Sequence, residues 1–192
     1  LRYPLANGKE VSTFDAFDKL VAAAMAGTGG KPTVLLTETI SAVTTKNIIA
    51  AFLAKQPGSR HIQYDAISSS GLLNANAASF GKRAIPSYQF NADKTIVSLG
   101  ADFLGTWLSP VEYARQYAAG RKINQKNPEM SKHIQFESML SLTGANADDR
   151  YVHLPSEAGA VALNIYAALG GAVAAPALSD DRLKKGIQQA VA

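Results

Sequence analysis

Gly100, Asp102 and Gly105 fall in "TIVSLGADFLGTW", just past an apolar run, where a nucleotide-binding strand would turn into a helix. A Gly-x-Gly-x-x-Gly turn works at such a place because bare glycines let backbone N–H groups and a helix N-terminus approach a pyrophosphate. This chain keeps the outer glycines and puts Asp102 at the middle position. A carboxylate there repels a diphosphate, and no Lys or Arg follows within ten residues to offset it. The strand–turn–helix setting is predicted; the anion-binding chemistry is missing.

The other candidate chemistries are weaker. A second predicted strand, "HIQF", ends at Glu137 and Ser138, which would share the carboxyl edge of the sheet, where open α/β folds bind ligands. "GTGGKPT" (27–33) has the glycines of a phosphate loop, but its order is helix, loop, strand, and Pro32 removes a donor, so it reads as a helix end. Ser68, Ser69 and Ser70 lack a Gly-x-Ser-x-Gly elbow. His61, His133 and His153 each fall in a predicted strand without His-x-x-x-His or Glu-x-x-His spacing, and read as buried or half-buried strand residues. There is no cysteine, which excludes disulfides and thiolate-held zinc or iron–sulfur centres within these residues.

The elements that position these residues alternate. Helices are expected from the Ser12/Asp15 start to Gly27, over "TTKNIIAAFLAKQPG", over "SSSGLLNANAASFG", from Pro110 (with Ser109 as cap) to about Lys122, and over 156–169. A last helix follows Ser179, with Asp180 and Asp181 in its first turn and Lys184 and Lys185 further along, as the helix dipole favours. Short strands are expected at "PTVLLTE", "RHIQYDA", "KTIVSLG", "SKHIQFES" and "DRYVHLP", with "SYQF" before an Asn-Ala-Asp turn. Strands interleaved with helices imply an α/β fold with a mostly parallel sheet covered on both faces. The domain is expected to span 1–171, leaving 172–192 as a hinge and C-terminal helix.

Bulk properties agree with a globular chain. Its 192 residues are 47% hydrophobic and 18% charged, and 19 basic against 15 acidic side chains leave a spread net charge of +4. The densest basic region, 115–132, is diluted by Glu129 and reads as a solvated face, not a nucleic-acid patch. No apolar run approaches the roughly 18 residues that span a bilayer. A chain opening on Leu1 without methionine is expected to be a processed or excised piece.

"IVSLGADFLGTWLSPVEYARQY", "MSKHIQFESMLSLTGANADDR" and "HLPSEAGAVALNIYAAL", with the upstream "YDAISSSGLLNANAASFGKRAIPSY", resemble the molybdopterin-oxidoreductase-like region of the large iron–sulfur subunit of bacterial alternative complex III. That family of Tat-translocated molybdopterin oxidoreductases belongs to a quinol-oxidising respiratory assembly. The resemblance implies a Rossmann-like three-layer sandwich, as in the nucleotide-binding domains of molybdopterin oxidoreductases. It aligns Gly100, Ala101 and Asp102 with the turn that contacts the pterin dinucleotide in catalytic relatives. Glu137, Ser138 and Met139 fall at the segment that reads the guanine end. Thr143, Ala147 and Asp148 match a later motif, and Pro155, Ser156 and Glu157 a helix start.

The departures matter. Asp102 and Phe103 stand where Asn-Pro would be, and the second segment lacks its proline and arginine. The resemblance therefore implies a vestigial site at Gly100, Ala101, Asp102, Glu137, Ser138 and Thr143, with no cofactor in this chain and iron–sulfur clusters elsewhere in the parent subunit. The expected role is a cofactor-free structural and docking segment on the periplasmic side of the inner membrane. Its partners would be the cluster-bearing region and other subunits of the complex. The alternative is half of a molybdopterin-dinucleotide cradle in an active enzyme. Phe103, Leu104, Trp107 and Leu108 would either pack on a neighbour as an anchor or fold back into the core.

Overall fold

The computed structural model describes residues 3–125, 128–178 and 180–192. The chain divides into two compact units, Leu1–Pro86 and Ser87–Ala192. This differs from the break expected after Gly171: the C-terminal helix is an integral part of the second unit's core.

The first unit holds a two-residue antiparallel pair, β1 (Leu5–Ala6) and β2 (Lys9–Glu10), then α1 (Phe14–Ala26). Thr13, not Ser12, caps α1, its hydroxyl accepting from the Ala16 N–H at 3.2 Å. Strand β3 (Val34–Thr37), α2 (Val43–Ala54), β4 (Arg60–Gln63) and α3 (Ser70–Phe80) follow, and β3 pairs with β4 in parallel. The "GTGGKPT" loop leads from α1 to β3, with Gly29 and Gly30 at φ of +60° and +77°; it is the helix end that its order implied. No described residue of this unit is buried; Leu36, Ile48 and Phe80 are largely exposed.

The second unit is a parallel sheet with helices on both faces. Its strands are β5 (Thr95–Leu99), β6 (Lys132–Glu137) and β7 (Asp149–Val152), in that order across the sheet. Between them run α4 (Pro110–Gly120) and the short α5 (Leu142–Ala145), and after them α6 (Ala158–Ala168) and α7 (Asp181–Val191). Pro110 begins α4, as expected, although the Ser109 side chain makes no capping bond. Ser179 lies outside the described residues; Asp180 caps α7, its carboxylate accepting from the Arg182 N–H at 2.8 Å. "SYQF" is not a strand; its Phe90 N–H is tied to the Gln116 side chain on α4 at 2.9 Å.

Strand alternation divides the core in two. Ile134 and Phe136 point to the face covered by Val161 of α6 and Leu183 and Ile187 of α7. Gly186 lets α7 come down on the Tyr151 ring, where a Cβ would stand 2.6 Å from ring carbons. On the opposite face Ile96 joins Phe90, Phe103, Tyr113 and Tyr117. The mixed α/β class and parallel pairing expected from the sequence are both present; the sheets are small, with two and three strands. Among the described residues no helix is long and apolar enough to cross a membrane.

Candidate functional site

The loop after β5 and the start of α5 meet at the carboxyl edge of the three-stranded sheet. Gly100, at φ +71°, donates its N–H to Phe136 O at 2.8 Å and turns the chain off the strand. Ala101 O accepts from the Ser98 hydroxyl at 3.2 Å. Asp102 then points across to α5. One of its carboxylate oxygens accepts both the Thr143 hydroxyl, at 2.8 Å, and the Thr143 N–H, at 3.1 Å. Its other oxygen accepts from the Thr106 hydroxyl at 3.1 Å, and the Thr143 hydroxyl oxygen accepts the Leu104 N–H at 2.9 Å. Burial alone would raise the Asp102 carboxyl; the bonds from Thr143 and Thr106 outweigh it and hold the group below the usual aspartate range. Gly105 is required by this closure, since a Cβ there would lie 2.3 Å from the carboxylate.

Glu137 forms a second closure. It ends β6, is 3% exposed, and pairs with Arg150 of β7. It also accepts from the Ser141 hydroxyl at 2.6 Å, the Ser141 N–H at 3.3 Å and the Gln135 amide at 3.3 Å. Burial pushes this carboxyl up, but Arg150 and Ser141 together bring it below the usual glutamate range. Ser138 is exposed, with its hydroxyl 3.3 Å from His153 Nδ1. That pair is not a nucleophile and its base. Nδ1 also lies 2.8 Å from Leu154 O, which can only accept, so this nitrogen carries a hydrogen and cannot take the serine's proton.

All six sequence-predicted positions thus gather at one edge: Asp102 and Thr143 bond to each other, Glu137 to neighbours on β7 and α5. Sequence reasoning missed Gln135, Ser141, Gly144 and Arg150. Its available signal was the period-two run His133-x-Gln135-x-Glu137: on the middle strand of a covered sheet, such a run must be buried and internally bonded. Asp148 lies away from this edge and pairs with Arg121 at 2.8 and 2.6 Å, while accepting the His133 N–H at 2.7 Å. Pro155 to Glu157 form a one-turn helix leading into α6, in keeping with the helix start expected there.

Phe103 does not form a free tip. It is 1% exposed, stacks on Phe90 with ring centres 4.4 Å apart, and sits edge-on to Tyr117. Trp107 and Leu104 are partly buried against the same cluster, and Trp107 lies 5.2 Å from the Tyr88 ring centre. Of the two alternatives, these side chains fold back into their own core. His61 lies on β4 and His133 on β6, whereas His153 is one residue past β7. No group of three or more His, Asp or Glu side chains among the described residues could hold a metal ion. A cavity of about 290 Å³ lies at the amino edge, lined by Asn91, Asp93, Lys94, Glu129 and Ser131.

No known protein family model matches this chain, and no curated protein is significantly similar to it.

The Arg121–Asp148 pair gives a pH dependence. The Arg121 hydrogen bonds hold the Asp148 carboxyl below its ordinary value. Its stabilisation is therefore complete above the unfolded-state value and is lost as the pH falls through the folded one. Asp148→Asn is expected to cost about 1–2 kcal/mol at pH 7. Urea unfolding of both proteins from pH 7 to pH 3 should show that gap narrowing toward acid; a constant gap would remove the pair as its cause.

Proposed function

We propose that the second unit is a Rossmann-like layer whose nucleotide edge is closed by its own side chains, and that the chain is a cofactor-free structural and docking segment. On the resemblance of its motifs, the setting is the large iron–sulfur subunit of a quinol-oxidising respiratory complex, on the periplasmic side of the inner membrane. The clusters would lie elsewhere in that subunit, and the partners would be the cluster-bearing region and neighbouring subunits.

One observation carries the reading. The Asp102 carboxylate takes the Thr143 N–H and hydroxyl, donors that an anionic ligand at this edge would need. A phosphate would have to displace a carboxylate already bonded three ways and then sit beside its charge. The Glu137 oxygens are likewise occupied, which leaves no acceptor for a guanine. The docking part is supported by Met139, Leu140 and Leu142, which are 82%, 65% and 57% exposed on the loop after β6 and at the start of α5. That apolar run offers the exposed anchor that the buried Phe103 and the half-buried Trp107 do not.

The test is titration calorimetry of the chain with a guanine nucleotide, together with molybdenum, tungsten and pterin analysis of the full-length subunit. No binding heat and no pterin are expected. Stoichiometric pterin or metal, or micromolar nucleotide affinity, would instead support half of a dinucleotide cradle.

A further inference from the structure

One face of β6 carries His133, Gln135 and Glu137, which are 0%, 0% and 3% exposed, and they form a continuous hydrogen-bonded file. Tyr117 of α4 stands at its head, with its hydroxyl 3.1 Å from His133 Nδ1 and 2.9 Å from Asn146 O at the end of α5. His133 Nε2 is 3.2 Å from Gln135 Oε1, and the Gln135 amide donates to Glu137 at 3.3 Å. The Phe103 ring packs on His133 with centres 5.4 Å apart and shields this end of the file.

Counting hydrogens exposes a mismatch. Asn146 O and the Glu137 carboxylate only accept. If Gln135 donates to Glu137, its oxygen faces His133 and needs an Nε2–H. With a neutral ring, Nδ1 is then bare and competes with Asn146 O for the single Tyr117 hydroxyl hydrogen. If Nδ1 carries the hydrogen instead, Nε2 and the Gln135 oxygen face each other as two acceptors. Turning the amide only moves the clash to Glu137. One added proton on the ring satisfies every contact: Nε2–H to Gln135, Nδ1–H to the Tyr117 oxygen, and the Tyr117 hydroxyl wholly to Asn146.

We infer that His133 and Tyr117 form a proton-operated switch in which protonation of the ring hands the Tyr117 hydroxyl from His133 to the Asn146 carbonyl. Asn146 ends the helix that carries Thr143, the partner of Asp102, so the switch acts on the segment that closes the carboxyl edge. It follows from hydrogen-bond counting alone and is independent of the proposed function.

The groups facing the ring are Tyr117 from α4, Arg121 just past its end, Asp148 just before β7, and Gln135 and Glu137 on β6 itself, the last neutralised by Arg150. Burial disfavours the charged ring and Arg121 adds to that, against the Gln135 hydrogen bond and the carboxylates of Asp148 and Glu137. The net direction is downward, so the ring is neutral at pH 7 and takes its proton only below the ordinary histidine range.

The test is an NMR pH titration of the full chain. At pH 7 the ring nitrogens should report the Nε2–H tautomer. On acidification both nitrogens should protonate, and the Asn146 carbonyl carbon should shift downfield with the same midpoint. In Tyr117→Phe the ring should still titrate while the carbonyl response is lost. An Nδ1–H tautomer at neutral pH, a ring that never titrates in the folded protein, or an Asn146 carbonyl that ignores the ring would each overturn the switch. The wild-type tautomer decides the matter even if the variant fails to fold.

Discussion

Replacing Phe103 with alanine is expected to destabilise the chain by about 3–5 kcal/mol, the range for removing a fully buried aromatic ring. The ring sits under α4, touching Phe90, Tyr117 and His133, and its removal leaves a void between the sheet and the helix. Neighbours cannot collapse into it easily, because Tyr117 is fixed through its hydroxyl and Phe90 through its N–H. Urea unfolding followed by circular dichroism measures the loss. A change under about 0.5 kcal/mol is typical of a surface site, and would return Phe103 to the role of an exposed anchor.

Gly144→Ala should cost about 3 kcal/mol even though alanine favours helix over glycine. An added Cβ would lie 1.9 Å from one Glu137 oxygen and 2.7 Å from the other. A glutamate tip normally swings aside, but this one is held by Arg150, Ser141 and Gln135. The methyl must therefore break a buried ion pair or push α5 off the sheet. A double-mutant cycle separates this from a general intolerance at position 144. Once Glu137 is truncated to alanine, the Gly144→Ala step should become neutral or stabilising. An unchanged cost in that background would show that the clash with Glu137 is not the reason.

Much of the fold is legible in the chain itself, for identifiable reasons. The apolar runs of β3 and β5, the alternation of β6 and the Pro110 start of α4 follow local rules that tertiary contacts did not override. Ser12 and Thr13 are both good caps, and Thr13 is the one whose hydroxyl takes the Ala16 N–H. Elsewhere a longer-range contact decided. Leu183 and Ile187 look like an appended helix until Phe136 and Val161 are seen beneath them.

The site was half visible. Asp102 announces itself in the sequence by standing where a glycine is expected, and it lies at the carboxyl edge of the three-stranded sheet, bonded to Thr143. Its partner Thr143 lies 41 residues away, and the bond between them has no signature in spacing. Glu137 reads from the sequence as part of a vestigial site; what its environment adds is a structural cross-brace between β6, β7 and the start of α5. The difference lies in Arg150, whose pairing depends on strand register and not on any motif.

The unequal burial of the two units has a further effect. Every described side chain sealed from water lies beyond Pro86, so cooperative resistance to denaturant is concentrated there. Residues before that point can fray without breaching any sealed interior. A protease would find its first cuts in them.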